Sequence, residues 1–138
     1  MFVYGTLMPG QRNYDSYCRP YLKRAILGYV TGQIYHLPRL GYPGVCDGTD
    51  LVWGYCLSFD GDFSLTALDE LEDYDPQRSP EQNEYNRCRA TVFSAKGDGL
   101  GGSLAWIYRM AFATIQRHQG IYLPSGKWSL QEHGEKFF

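Results

Sequence analysis

The chain has 138 residues, 43% of them apolar and 20% charged, which is the length and balance of a single domain around one hydrophobic core. Its formal net charge is -2 and its basic residues are scattered, so no electrostatic footprint for nucleic acid or an anionic membrane surface is present. No apolar run approaches the roughly 20 residues that span a bilayer, and the histidines lie too far apart to suggest a zinc site; neither a membrane span nor a metal is expected.

Met1 to Leu7 is a short β-rich run that Pro9-Gly10 stops, so the first strand leads straight into a turn. A strand-like opening in place of a charged region and an apolar leader, with no C-x-x-C spacing among Cys18, Cys46, Cys56 and Cys88, predicts reduced thiols and a cytoplasmic location. A pair of disulfides in a mature secreted fragment is the alternative. Asp15 to Lys23 fits a short helix interrupted near Pro20, and Ala25 to Leu37 reads as β-structure with bends or bulges at Gly28 and Gly32. Gly41-Tyr42-Pro43-Gly44 has turn chemistry, and Leu51 to Phe59 is again strand-like.

Ser64 to Tyr74 is the clearest helix, with Asp62 or Ser64 as its cap, Leu65, Leu68 and Leu71 as its apolar stripe and Pro76 beyond its end. Glu84 to Ala95 returns to β-structure, with Tyr85, Arg87, Arg89, Thr91 and Phe93 on one face, and a turn at Gly97-Asp98-Gly99 joins it to Ser103 to Met110 as a hairpin. Ala111 to Gln119 is ambiguous, Leu123-Pro124-Ser125-Gly126 is a turn, and a polar tail begins at about residue 130. Many strands and one firm helix predict an α+β fold: residues 1–138 as a single domain, with a mixed, twisted, barrel-like β-sheet flanked by a few short helices.

Two places invite chemistry. At about 100° per residue, Glu72 falls within the arc of Leu65, Leu68 and Leu71, so a carboxylate points where an apolar residue belongs. Glu70 projects to the opposite side, while Asp69 and Asp73 lie at the edge and read as solvated charges. Burial, the negative end of the helix dipole and neighbouring Asp73 all disfavour ionisation, which predicts a raised Glu72 pKa suited to a general acid/base. The alternatives are an outward bend in the last turn or a structural bridge to Arg87 or Arg89. The second place is Tyr4-Gly5-Thr6-Leu7, where successive N–H groups at a strand end can form an anion-binding concavity. The glycine-rich run from Gly97 to Gly102 lacks a Gly-Lys-Ser/Thr ending and leads into a strand, so it is not read as a phosphate loop; no G-x-S-x-G elbow is present.

Taken in order, FVYGTLMPG, GYPG, LDELEDYDP, EYNR and AWIY resemble the γ-glutamylcyclotransferase-like family, which includes AIG2-like and γ-glutamylamine cyclotransferases; the resemblance runs from Phe2 to about Trp128. By position it implies that Glu72 is the catalytic carboxylate, that Tyr4, Gly5, Thr6 and Leu7 bind the glutamyl part of the substrate, and that Tyr85 lines the same cavity. Asp73 departs from the glycine common in the family after that glutamate. The implied reaction is intramolecular: the α-amine of a γ-glutamyl group attacks its own γ-carbonyl, closing 5-oxoproline and expelling an amine, with no metal or organic cofactor. The implied partner is a small γ-glutamyl molecule, and oligomeric state stays open. A binding module that holds such a ligand without turning it over is the alternative, as are release of a γ-glutamyl protecting group from a larger amine and a Tyr-rich interaction domain.

Overall fold

A computed structural model describes residues 1–61, 63–94 and 102–128. Two long antiparallel strands dominate, β2 (Leu22–Leu37) and β3 (Tyr42–Phe59). In β2 the side chains of Ile26, Val30 and Ile34 face inward while Leu27, Tyr29 and Thr31 face outward, the period of two that a strand with one buried face requires. The short strand β1 (Phe2–Val3) pairs with the outer edge of β3, and on the other side of β2 come β4 (Asn86–Ser94) and β5 (Ser103–Arg109). A last short strand, β6 (Ile121–Tyr122), pairs with the end of β2.

The expected α+β class holds, with two differences in detail. Among the described residues every ladder is antiparallel, so the sheet there is not mixed, and the ladder does not close into a barrel. The sheet nonetheless curls until its ends, β1 and β5, pack together, and the Tyr4 hydroxyl just past β1 donates to the Tyr108 carbonyl of β5 at 2.5 Å.

Gly41-Tyr42-Pro43-Gly44 is not a turn as expected. The chain reverses at 38–41, where Gly41 takes φ 76°, and Tyr42 and Pro43 already pair with Leu37 and His36. Pro43 is tolerated because β1 pairs only with Tyr55 and Cys56, so no second strand is paired with β3 at Pro43. The expected bulge at Gly32 is present: Gly32 pairs with Asp50 and Gln33 with Cys46, so residues 47–49 loop out; Gly28 is regularly paired, opposite Gly54. The hairpin of β4 and β5 is as expected, its tip at 95–101 outside the described residues along with the polar tail.

Among the described residues three short helices complete the fold: α1 (Tyr14–Tyr17), α2 (Thr66–Leu71) and α3 (Phe112–Arg117), the last within the segment whose sequence is ambiguous. A single 3-10 turn, Arg19–Tyr21, follows α1 with Pro20 in its first turn, where a missing N–H goes unneeded. Buried Val30, Val52, Leu57, Val92 and Ile107 form the sheet's inner face, and Leu68 of α2 and Ile115 of α3 dock against it, each such side chain contributing about 1.5–3 kcal/mol by leaving water. Trp128 pins the end of the described chain, its indole N–H donating to buried His36 at 3.0 Å. All four cysteines are free thiols, and among the described residues no helix is long and apolar enough to cross a membrane.

Candidate active site

The α2 helix starts without a side-chain cap at Leu65; Ser64, one residue earlier, accepts the Thr66 N–H at 3.2 Å, and Asp62 lies outside the described residues. Its end is the better defined. The N–H of Tyr74 donates to the carbonyl of Asp69 at 2.9 Å and that of Asp73 to Glu70 at 3.2 Å, the paired bonds of a Schellman motif, with Asp73 left-handed at φ 50° and Glu72 as the C-cap. Glycine is the residue that geometry favours, and Arg78 steadies the aspartate in its place by donating to its carbonyl at 2.9 Å and its side chain at 3.0 Å. The helix is thereby stopped with Glu72 still on the side of Leu68, where the wheel puts it.

Glu72 lines a cavity of about 110 Å³ whose wall also includes Tyr4, Gly5, Thr6, Leu7 and Tyr85. The turn from Tyr4 to Leu7 reaches it because Gly54 lets β1 pass close: a Cβ at Gly54 would stand 2.1 Å from the Val3 carbonyl oxygen. Gly5 is required by packing, since a Cβ there would meet the Pro43 ring at 2.8 Å. The turn is held by Met8 N–H to Gly5 O at 3.0 Å and by Asn13, which donates its backbone N–H to Thr6 O and its side chain to Thr6 Oγ1, both at 2.9 Å. The backbone N–H groups of Gly5, Thr6 and Leu7 donate to no described residue, although Gly5 and Leu7 are buried. Buried backbone donors are nearly always paired, and three unpaired N–H groups in succession beside a cavity have the chemistry that suits an anion.

The other walls come from distant parts of the chain. Tyr42 and Pro43 of β3 face Glu84 and Tyr85, the Tyr42 hydroxyl donating to Glu84 Oε1 and the Tyr85 hydroxyl to the Pro43 carbonyl. Buried Asn83 delivers this pair: its side chain accepts Asp75 N–H at 3.1 Å and donates to Asp75 O at 3.0 Å, clamping the loop between α2 and β4. From β5, Tyr108 donates its hydroxyl to Asp69 Oδ1 at 2.6 Å, and Arg87 Nε lies 3.6 Å from the same oxygen.

Burial pushes the Glu72 carboxyl up to about 8, and the charge of Glu84 adds to the shift. Burial first, and Glu72 second, hold the Tyr4 hydroxyl well above its ordinary value; burial likewise raises Tyr42, with Glu84 adding to it, and Tyr108, with Asp69 adding to it. The tyrosines are therefore neutral walls whose protons are spent on fixed acceptors. The Glu72 carboxyl makes no hydrogen bond or ion pair with a described residue, so the bridge to Arg87 or Arg89 does not form. Arg87 pairs with Asp69 and both arginines stack on Trp106, each 4.8 Å from the ring centroid.

The structure thus brings all six singled-out residues, Glu72, Tyr4, Gly5, Thr6, Leu7 and Tyr85, to one cavity. Two readings change. Asp69 is not a solvated charge but the acceptor that ties α2 to β5, and Tyr85, which precedes β4, is buried while Arg89, Thr91 and Phe93 of its supposed face are exposed. Glu84, Tyr42 and Tyr108 were missed; Glu84 and Tyr42 stand inside the EYNR and GYPG motifs, a signal that could have found them. Among the described residues no group of His, Cys, Asp and Glu gathers as a metal site.

No curated protein matches the chain. Its fold is similar to that of an AIG2-like protein from Mus musculus, with a TM-score of 0.69 at 20% identity over 94% of this chain and 86% of the other. Residues 1–130 match the family described as gamma-glutamyl cyclotransferase, AIG2-like, and the chain belongs to that family.

Proposed function

We propose that the protein is a cyclotransferase that releases 5-oxoproline and a free amine from a γ-glutamyl amine or γ-glutamyl amino acid. The observation that carries this reading is Glu72: a carboxyl without a protein partner, raised to about 8, in a cavity that also presents the free N–H groups of Gly5, Thr6 and Leu7. A carboxyl tuned near the working pH can both take and return a proton. The raised value also weighs against a passive binding module, which has no need of it.

In the reaction the substrate α-ammonium gives a proton to Glu72, and the freed amine attacks the γ-carbonyl carbon to form a five-membered ring. As the bond to the leaving nitrogen breaks, Glu72 returns the proton to it; the ring nitrogen, left with one hydrogen too many, then gives it by way of Glu72 to the departing amine, which leaves as an ammonium, so no net charge or atom is gained. Both reacting groups belong to one molecule, and the cavity's contribution is to hold it folded. The N–H groups of the Tyr4 to Leu7 turn suit either the substrate carboxylate or the oxyanion that develops during attack. This route calls for no metal or organic cofactor.

The test is 5-oxoproline release from a panel of γ-glutamyl amino acids and γ-glutamylamines by the native protein and by Glu72→Gln. Turnover by the native protein that falls by about 10²–10⁴-fold in a folded Glu72→Gln variant is the expected result. Equal turnover by the two proteins removes Glu72 from the chemistry, and inactivity of the native protein on the whole panel favours a binding role.

A further inference from the structure

The cavity holds more acid than this reaction uses. Glu84 is half-buried and lines the same cavity as Glu72, with its Oε1 accepting the Tyr42 hydroxyl. No cation among the described residues pairs with it. Arg12, the cation nearest in the cavity wall, lies 5.9 Å from the Tyr42 ring centroid and donates to Gly41 O at 3.4 Å, while Arg78, Arg87 and Arg109 pair with Asp73, Asp69 and Asp47. The carboxyl of half-buried Glu72, which lines the same cavity, has no partner either. Two carboxyl groups facing one space, with no cation paired to either, repel each other, and a positive group between them relieves both.

An incoming ammonium also needs a counter-charge. A carboxyl raised to about 8 is mostly protonated at neutral pH and supplies little of it. We propose that Glu84, fixed by the Tyr42 hydroxyl, is an ammonium-binding residue of this cavity that holds a substrate cation beside Glu72. A cation in that place favours the ionised form of Glu72, the form that accepts a proton. Primary ammonium is the shared chemistry of two sources, the α-ammonium of a γ-glutamyl group and a second ammonium on the leaving amine. The inference rests on the proposed function only for the identity of the substrate.

The experiment measures binding of three probes by calorimetry to the native protein, Glu84→Gln and Tyr42→Phe. L-glutamine and glutaric acid monoamide differ only in the α-ammonium, and 1,4-diaminobutane is a cation without a glutamyl group. In Glu84→Gln, glutamine binding weakened about tenfold or more with the monoamide unchanged assigns Glu84 to the α-ammonium. Weakening of the diamine alone assigns it to the leaving amine. Tyr42→Phe keeps the carboxylate but frees it, and gives a smaller loss in the same direction even if Glu84→Gln fails to fold. The proposal is overturned if each probe binds the variants as it binds the native protein, or if the monoamide weakens as much as glutamine. A native protein that binds the diamine but neither glutamine nor the monoamide keeps the ammonium site and removes the γ-glutamyl reading; one that binds none of the three removes both.

Discussion

The α2 and α3 helices end in the same way. Each has six residues, a C-cap near φ -88°, ψ 5° (Glu72) or φ -85°, ψ 4° (His118), and a left-handed residue after it, Asp73 at φ 50° and Gln119 at φ 54°. In each the two Schellman bonds close the last turn, and an arginine reaches the left-handed residue: Arg78 to Asp73 at 3.0 Å, Arg39 to Gln119 at 3.1 Å. Yet only Glu72 lines the cavity with the Tyr4 turn, Tyr42 and Tyr85. The local ending fixes where a side chain starts; what the rest of the fold places opposite decides its chemistry.

The largest expected effect separates the two ends directly. Glu72→Gln removes nearly all turnover, whereas His118→Gln, at the matching C-cap, leaves turnover within about twofold, measured as 5-oxoproline release under one set of conditions. Next is the wall opposite. Gly5→Ala drives a methyl into the Pro43 ring at 2.8 Å, and a loss of about 1–3 kcal/mol in denaturant unfolding is expected, with activity falling alongside.

A third prediction concerns pH. Glu72 holds its proton in the folded protein up to about 8 and in the unfolded chain only to the ordinary 4.5, so between these values the folded state binds more protons. This group's contribution to stability is complete below pH 4.5 and is lost as pH rises towards 8. The stability of Glu72→Gln measured against the native protein should therefore climb from pH 5 to pH 8; a constant difference contradicts the raised value. The smallest effect returns to the left-handed residues. Gln119→Gly should stabilise by about 0.5–1 kcal/mol, and Asp73→Gly by less, because aspartate tolerates the left-handed region better than glutamine, while each substitution gives up one exposed arginine bond.

These contrasts also mark what the sequence discloses. The α2 stripe, the β4 and β5 hairpin and the inward place of Glu72 follow from periodicity, because neighbours along the chain carry that information. Pro43 within a strand was hidden, since its pairing with His36 is tertiary and overrides turn propensity. Asp69 reads as solvated because its partner, Tyr108, comes from a strand 39 residues away, and Glu84 carries no local signal because Tyr42 reaches it across 42 residues. The Tyr4 turn was visible as a pattern, but the reason for Gly5, contact with Pro43, was not.

The most direct test of the account is a carbon-13 NMR titration of the Glu72 side-chain carboxyl in the ligand-free protein, assigned by its loss in Glu72→Gln. Half-buried at the end of α2 and subject to the charge of Glu84, it is predicted to titrate at about 8. Titration near 4.5, the ordinary value, would contradict the claim that the fold has turned this C-cap residue into an acid/base.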